Sequence, residues 1–372
     1  MDVAVVILNW NTRDFLASFL PPLLDSLPEG ACAVVADNGS SDGSVGFLEK
    51  EYPDVRRILF SENFGFTGGY NRAISQLLED GDAPRYVLLL NSDILVKDGW
   101  LEPLVRWMDA NPGYGACGPK LHALDRDEVG YRLTDRFEYA GAAGGFLDRH
   151  GYPYCRGRVM KRTEEDRGQY GSSDVLWVSG AALMVRSSVW KALGGLDDRF
   201  FAHMEEIDLC WRMQLAGWRV RCVTESTVWH LGGGSLPKDS PWKLTRNYCN
   251  NLLMLDNNLA RTLEARGTAH PARKARLEIF FRMLLDGMAG IVYLLQGQVP
   301  FFKAMVAGHG EYRRLRRSPG PACPSAPSDR AGAARVPGLT GARVLLLSYA
   351  CGEKVFSRLR RKGHFGQSND NV

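Results

Sequence analysis

YVLLLNSD, residues 86–93, runs through five apolar residues without a break and ends in three polar ones, the last a carboxylate. An apolar run of that length reads as a strand buried on both faces, and such strands belong to parallel sheets covered by helices on either side. The chain around it agrees. Similar β-rich runs stand at Val3–Leu8, Ala33–Ala36 and Arg56–Phe60, with helical patterns at Thr12–Leu27, Asp42–Tyr52 and Gly68–Leu78 between them. This alternation predicts an α/β fold. Ligands of such sheets gather outside the carboxyl ends of the strands, so the polar residues after each run become candidates: Asn9 and Asn11, Asp37, Asn91 and Asp93.

The remainder of the chain divides by composition. Residues 120–172 are rich in Gly, Tyr and Arg, have weak periodicity, and read as a long, partly mobile insertion. VLWVSGAALMV (175–185) reads as a strand with a Ser-Gly break, followed by Ser187–Leu193 and a strand ending in TVWH (227–230). Residues 241–266 and 273–306 read as helical. The second is very apolar yet interrupted by Arg282, Asp286, Gln296 and Gln298, and falls short of the roughly 18–20 apolar residues that span a bilayer. It fits a helix lying in a membrane interface, with YRRLRR (312–317) as the electrostatic grip; a hairpin packed on the domain is the alternative. SPGPACPSAPSDRAGAARVPG has a disordered composition, and VLLLSYACGEKVFSRLRRKG reads as a final basic amphipathic helix.

The net charge of +4 hides an asymmetry. Residues 311–372 hold 12 Lys and Arg against 4 Asp and Glu; with 46 and 42 in the whole chain, residues 1–310 hold 34 and 38. A basic tail suits an anionic membrane surface, with nucleic acid as the alternative. The 8 cysteines form no CxxC pair and read as reduced thiols of a cytosolic protein. MDVAVVILNWN lacks a basic leader and reads as a first strand, not a signal peptide.

Each polar station suits a particular chemistry. Asp37, in VVADNGSSDGS, can accept hydrogen bonds from a base or ribose, although a helix cap and turn would use the same residues. In ENFGFTGGYNRAI (62–74), glycines allow backbone to approach a ligand, and Asn63, Asn71 and Arg72 could bind a base or diphosphate. Asp93 at a strand end beside a diphosphate could hold Mg²⁺ or Mn²⁺, or be a solvated turn acid. His230 closes an apolar strand and runs into Leu-Gly-Gly-Gly-Ser, where a ligand and closing lid are expected. FAHMEEIDLCWR (201–212) sets Glu205, Glu206 and Asp208 among apolar residues. On a helix over 204–217, Asp208 and Arg212 stand at i, i+4 and can pair. Glu206, between the faces near the helix start, is placed for a general base; acids complementing the helix dipole are the plainer reading.

Together the stations resemble family 2 inverting glycosyltransferases of the GT-A fold, of the rhamnosyltransferase-like kind. The resemblance covers about residues 1–240: VVILNWN, VVADNGSSDGS, NFGFTGGYNRAI, LLLNSD, VSGAALMVRSSVW, GGLDDRFFAHMEEIDLCWRMQLAGW and VWHLGGGS, in that order. It implies a Rossmann-like, mixed, mostly parallel nucleotide-binding sheet with helices on both faces, plus a helical, basic C-terminal extension. The expected division is a catalytic domain over 1–240, a helical extension over 241–317, and a linker with a basic tail over 318–372. Asn9, Asn11 and Asp37 match positions near the nucleotide's base or ribose. Asn63, Gly69, Asn71 and Arg72 match the loop at the diphosphate. NSD matches the DxD-type metal motif with Asn91 in place of its first acid, leaving Asp93, with His230, for Mg²⁺ or Mn²⁺. Glu205-Glu206 matches the motif whose second acid is the base, so Glu206 is the expected base, Glu205 orients the acceptor or helix start, and Asp208 pairs with Arg212. The implied partners are a nucleotide-diphosphate sugar, rhamnose first among the sugars, a glycan or lipid-linked glycan acceptor, and an anionic membrane at the cytoplasmic face, with no nucleic acid. Other donor sugars, a nucleotidyltransferase and a non-catalytic nucleotide-sugar scaffold are the competing readings.

Overall fold

The computed structural model describes residues 2–366 apart from 129, 233–239, 322–323 and 325–335. Its first part follows the expected alternation: β1 (Val3–Asn9), α1 (Arg13–Asp25), β2 (Ala31–Asn38), α2 (Ser44–Glu51), β3 (Arg56–Phe60), α3 (Gly65–Glu79) and β4 (Tyr86–Asn91). Strands β4, β1, β2 and β3 lie side by side and parallel. The unbroken apolar runs of β4, β1 and β2 have a simple cause. Alternate side chains feed two separate cores, Val6, Val34 and Leu89 on the side of α3, and Val5, Val35 and Leu88 on the side of α1. A strand with water on neither face has no position left for a polar residue.

The second part widens the sheet. A short β5 (Ile94–Leu95) and α4 (Glu102–Ala110) lead to β6 (Tyr114–Arg126) and β7 (Tyr131–Phe137). Residues 120–172, expected as a partly mobile insertion, are instead strand-rich. They contain the end of β6, all of β7, and a small separate sheet of β8 (Gly145–Leu147), β9 (Pro153–Cys155), β10 (Arg158–Val159) and β11 (Arg162–Thr163). Strands of two or three residues are too short to show a period, which is why the sequence reads as irregular there. The buried Arg156 and Arg158 stitch the small sheet together through carbonyls of Ala143, Gly171, Tyr139 and Pro153.

After β12 (Ser173–Asp174), β13 (Ala182–Arg186) inserts antiparallel between β4 and β6, and α5 (Ser187–Leu193), α6 (Glu205–Leu215) and β14 (Arg219–His230) complete the sheet. Three helices follow, α7 (Pro241–Ala265), α8 (Pro271–Leu295) and α9 (Val299–Leu315), then the short α10 (Val344–Cys351) and α11 (Val355–Arg361). The stretch expected as one helix over 273–306 is two, parted at Gly297, whose φ of 71° continues no right-handed helix. The final segment folds as two short helices, not one. They pack Val344, Val355, Phe356 and Leu359 into the main core, with Phe365 against Phe146 and Tyr154 of the small sheet. Most of the stretch expected as a disordered linker, 318–338, lies outside the described residues. Among those described, no helix is long and apolar enough to cross a membrane, and Cys117, Cys155, Cys210, Cys222 and Cys249 are buried thiols outside any disulfide.

Helix α7 packs into the same body as the sheet. Cys249, Leu252, Leu253 and Met254 share a core with the sheet, and Trp211 Nε1 of α6 donates to Thr262 Oγ1 at 2.9 Å. Asp208, fully enclosed, accepts from Arg212 at 2.6 Å, from Asn257 at 2.9 Å and from Asn258 at 2.8 Å. Removing one partner of a buried ion pair leaves an uncompensated charge. Asp208→Ala should therefore cost about 3–5 kcal/mol of folding free energy, read from urea denaturation followed by tryptophan fluorescence; a cost below about 1 kcal/mol would contradict this account.

Candidate active site

The parallel register sets the strand-end residues in a row. Asn9 lies opposite Asp37, and Leu8 opposite Asn91. The Asn9 amide donates to Asp37 Oδ2 at 2.7 Å and to Ser40 Oγ at 3.0 Å, and its oxygen accepts from Thr12 at 2.6 Å. Asp37 Oδ1 accepts from the backbone N–H of Ser40 at 2.8 Å. Asn9 is thus fully engaged within the protein and fixes the Asp37 carboxylate. Asn11, left-handed at φ 53°, holds the same loop by accepting from Ser41 N at 2.8 Å.

The next station is more structural than the sequence suggests. Asn63 accepts from Asn38 at 2.9 Å and from Gly65 N at 2.8 Å. Asn71 uses its whole amide on another loop: it donates to Leu196 O and Asp198, and accepts from Leu196 N. Gly69 is buried in α3 where an added Cβ would come within 2.7 Å of Leu8, so it serves helix–strand packing rather than approach to a diphosphate. Arg72 is exposed and lies 3.8 Å over the Phe64 ring. Of this group, the Asn71 amide is engaged with the 196–198 loop and Gly69 packs α3 against β1.

Asp93 and His230 meet as the sequence requires. The antiparallel pairing of β5 with β14 brings His230 Nε2 to 3.2 Å from Asp93 Oδ1, and Asn91 Nδ2 lies 3.4 Å from the same ring nitrogen. The other face of the imidazole holds a residue the sequence did not single out, Glu138, at 3.5 Å from Nδ1. Burial alone would strip the proton from His230, but the two carboxylates outweigh it and hold its pKa well above the ordinary value. Burial likewise works to raise Asp93, and His230 reverses it, so that acid stays below the usual carboxylate range. Among the described residues no three of His, Cys, Asp and Glu are disposed to hold a metal ion by themselves. One carboxylate and one imidazole, with the Asn91 amide beside them, are still a set that suits Mg²⁺ or Mn²⁺ when phosphate and water complete the shell. Residues 233–239, most of the glycine loop expected as a lid, lie outside the described residues.

Helix α6 supplies the opposite polarity. Glu205 is buried and Glu206 half-buried, and each has a side-chain oxygen with no hydrogen-bond partner. Burial pushes Glu206 up to about 7. Burial, and then the charge of Glu206, pushes Glu205 well above its ordinary range. The Ser-Gly break seen in the sequence runs beside them: an added Cβ at Gly180 would stand 3.4 Å from Glu206 Cβ and 3.6 Å from Phe66. Tyr70 connects the two halves. Its hydroxyl donates to Leu90 O, and the Asp93 and Glu205 carboxylates both add to the upward push of burial on its pKa. Asp208 makes the expected ion pair with Arg212 and is fully enclosed.

The loop before α6 is strained. Phe201, His203 and Met204 have φ of 61°, 74° and 72°, conformations costing of order 1–3 kcal/mol each for non-glycine residues. One side chain holds them there. The amide nitrogen of Asn250, buried on α7, donates to the carbonyls of Phe200, Ala202 and His203 at 2.9, 2.7 and 2.8 Å. The same loop carries the Phe201 carbonyl that accepts from Phe66 N at the start of α3. An Asn in a helix 45 residues after Glu205 has no local signature, and sequence reading missed it.

The chain is similar to known proteins in sequence and in fold. Residues 4–186 match the family model described as Glycosyl transferase family 2. An N-acetylglucosaminyl-diphospho-decaprenol L-rhamnosyltransferase of Mycobacterium tuberculosis is 29% identical over 258 residues, 68% of this chain and 83% of its own. Rhamnosyltransferase WbbL of Escherichia coli is 27% identical over 165 residues, 43% of this chain and 58% of its own. In fold, the chain is like GalNAc-T7, solved with UDP, GalNAc and Mn²⁺, at a TM-score of 0.52 and 16% identity, over 71% of this chain and 48% of that one. The sheet and these matches define a glycosyltransferase with a GT-A-like fold. Residues 4–186 form a glycosyltransferase family 2 domain, and the chain is rhamnosyltransferase-like in its similarity to the relatives above.

Asn250→Ala should destabilise the protein by about 2–3 kcal/mol, because buried carbonyls lose their donor. In hydrogen exchange, the amides of residues 200–208 should lose protection before those of β1 and β4. Equal loss everywhere would mean that Asn250 does not act on this loop.

Proposed function

We propose that the protein is an inverting transferase that moves rhamnose from a nucleotide-diphosphate donor to a hydroxyl of a growing surface glycan or lipid-linked glycan. The observation that carries this reading is Glu206, a half-buried carboxylate with an unpartnered oxygen and a pKa raised to about 7; its neighbour Glu205 and the His230-paired Asp93 both act on the Tyr70 hydroxyl. A base poised near neutral pH takes a proton most effectively. In the proposed step the acceptor hydroxyl gives its proton to Glu206 as its oxygen bonds to C1 of the sugar. The C1–O bond to the diphosphate breaks and its electron pair leaves with the nucleotide. One displacement from the opposite face inverts the anomeric centre.

The remaining residues take roles by their surroundings. Asp37, fixed by Asn9, would receive the base or ribose, and Asn63 and Arg72 line the approach to the diphosphate. Asp93 and His230, with Asn91, would hold a divalent cation; bound there, it would supply positive charge to the leaving diphosphate. Glu205 would keep its proton beside Glu206, so that only one of the two acids ionises. Rhamnose and a lipid-linked acceptor are supported by the names of the relatives; placement at the inner face of the cytoplasmic membrane would suit such an acceptor. Residues 1–240 would carry the chemistry, 241–317 would brace it, and 318–372 would cover the small sheet.

The first test is nucleotide-diphosphate release by purified protein with Mn²⁺ across dTDP-rhamnose, UDP-galactose, UDP-glucose, UDP-N-acetylglucosamine and GDP-mannose. Release should stand out with dTDP-rhamnose and vanish with EDTA or in Asp93→Ala. A different preferred donor would overturn the sugar, and insensitivity to EDTA would overturn the metal.

Glu206→Gln should lower transfer by about 10²–10⁴-fold. In the unaltered protein the rate should climb with pH through about 7, as Glu206 loses its proton. Because this acid's folded pKa is raised, its contribution to stability is complete below its unfolded value and lost as pH rises through about 7. Activity and stability should therefore move in opposite directions over that span. A pH–rate profile that stays flat between pH 5 and 8 would remove Glu206 as the base.

A further inference from the structure

Helix α8 is built inside out. Its buried face carries Arg282 and Asp286, paired at 2.9 Å, with Ala275, Ile279 and Gly290. The ion pair is completed by contacts from the body: Arg282 donates to Asn251 Oδ1 and lies 3.9 Å over the Tyr152 ring, and His309 lies 3.3 Å from Asp286. The outward face is the apolar one. Leu277, Phe280, Leu284, Met288 and Ile291, at spacings of three and four, are each between 51% and 59% exposed. Amphipathic helices of soluble proteins turn the opposite way, and a contiguous apolar patch left outside marks a surface that something covers.

Between α8 and α10 this face deepens into a groove of about 520 Å³, within the usual range for a small-molecule site. Its apolar walls include Leu277, Phe281, Met288 and Leu346, and the exposed Arg149 and Arg343 stand at its rim. Arg273, Lys274 and Arg276, also exposed, lie along the first turns of α8. The acids nearby are turned inward: Asp148 is buried and accepts from the backbone of His150, Tyr152 and Val344, and Glu278 is only partly exposed.

We propose that the outward face of α8 and the α8–α10 groove form the surface by which the protein seats on an anionic lipid bilayer, with one hydrocarbon chain in the groove and a lipid phosphate between Arg149 and Arg343. This rests on the membrane-side placement proposed above. It moves the contact away from the YRRLRR stretch, where Arg314 and Arg316 reach Glu311 and Asp256 and Tyr312 is buried. Charge selects lipid over the other occupants. A second copy meeting this face across a twofold axis would bring the same cations together. The undescribed residues 1, 129, 233–239, 322–323, 325–335 and 367–372 offer only Met1, Val129, Leu236 and Val372 as large apolar side chains, too few and too scattered to cover the face. Apolar residues flanked by Lys and Arg are the pattern of helices that lie in a lipid interface.

The test is co-sedimentation of the full chain with vesicles of phosphatidylcholine alone and of equimolar phosphatidylcholine and phosphatidylglycerol, with nucleotide-diphosphate release in solution measured in parallel. The unaltered protein should pellet with the anionic vesicles. Leu284→Glu with Ile291→Glu should abolish pelleting, while Arg149→Ala with Arg343→Ala should weaken it roughly 30-fold, at about one kcal/mol for each cation. All four positions are exposed, and both variants should keep the nucleotide release of the parent in solution. Failure to pellet, or pelleting unaffected by the Leu284→Glu pair, overturns the proposal. A dimer in sedimentation velocity that the same pair dissociates would assign the face to a second copy instead. Loss of nucleotide release in the parent protein would strike the catalytic reading and leave this one standing.

Discussion

A carboxylate fully shut off from water, Asp208, fixes where the acids of the cleft can stand. Enclosing a charge is affordable only if every partner is in place, and Asp208 has Arg212, Asn257 and Asn258. Arg212 in turn donates to the carbonyls of Leu193 and Gly195. The network therefore ties α6 to α7 and to the loop after α5 with directional bonds that hydrophobic packing alone does not supply. With α6 held from below, its first turn presents Glu205 and Glu206 at the cleft, and the strained loop before it is clamped by Asn250 from the same helix α7.

Above that anchor the cleft is electrostatically divided. On the strand side the His230 imidazole sits between Asp93 and Glu138, whose charge favours its protonated form until a cation takes the place of the proton. On the helix side two carboxyl groups sit without a cationic partner, and their raised pKa values follow from burial and mutual repulsion. Neither arrangement would be stable in isolation as a fully ionised set. The division has a sequence origin: acids placed at strand ends meet a histidine across the sheet, whereas acids placed at a helix start meet apolar neighbours such as Phe66 and the Gly180 turn.

The sequence disclosed the elements whose periodicity is long. Strand β3 and helix α5 have the expected boundaries, and β4 differs by one residue. The family resemblance grouped Asp93 with His230, and the pairing of β5 with β14 sets the two side by side. What stayed hidden depends on contacts between distant segments. Glu138 follows β7 in a stretch without a period, Asn250 and Asn258 are polar residues on a helix that otherwise looks ordinary, and Asn71 shows its loop-holding role only when Leu196 is placed beside it. Helix α8 was legible as very apolar with charged interruptions, but its periodicity does not state which face points outward.

The match to the family ends at residue 186 and the last recognisable motif at the glycine loop, yet the side chains that brace α6 extend to Thr262. Inheritance and mechanical integrity have different borders in this chain. Exchanging donor preference between relatives by grafting halves at the motif border would pair one parent's strained 200–204 loop with another's α7. A graft that travels with α7 keeps Asn250 and the loop it restrains as a single inherited piece.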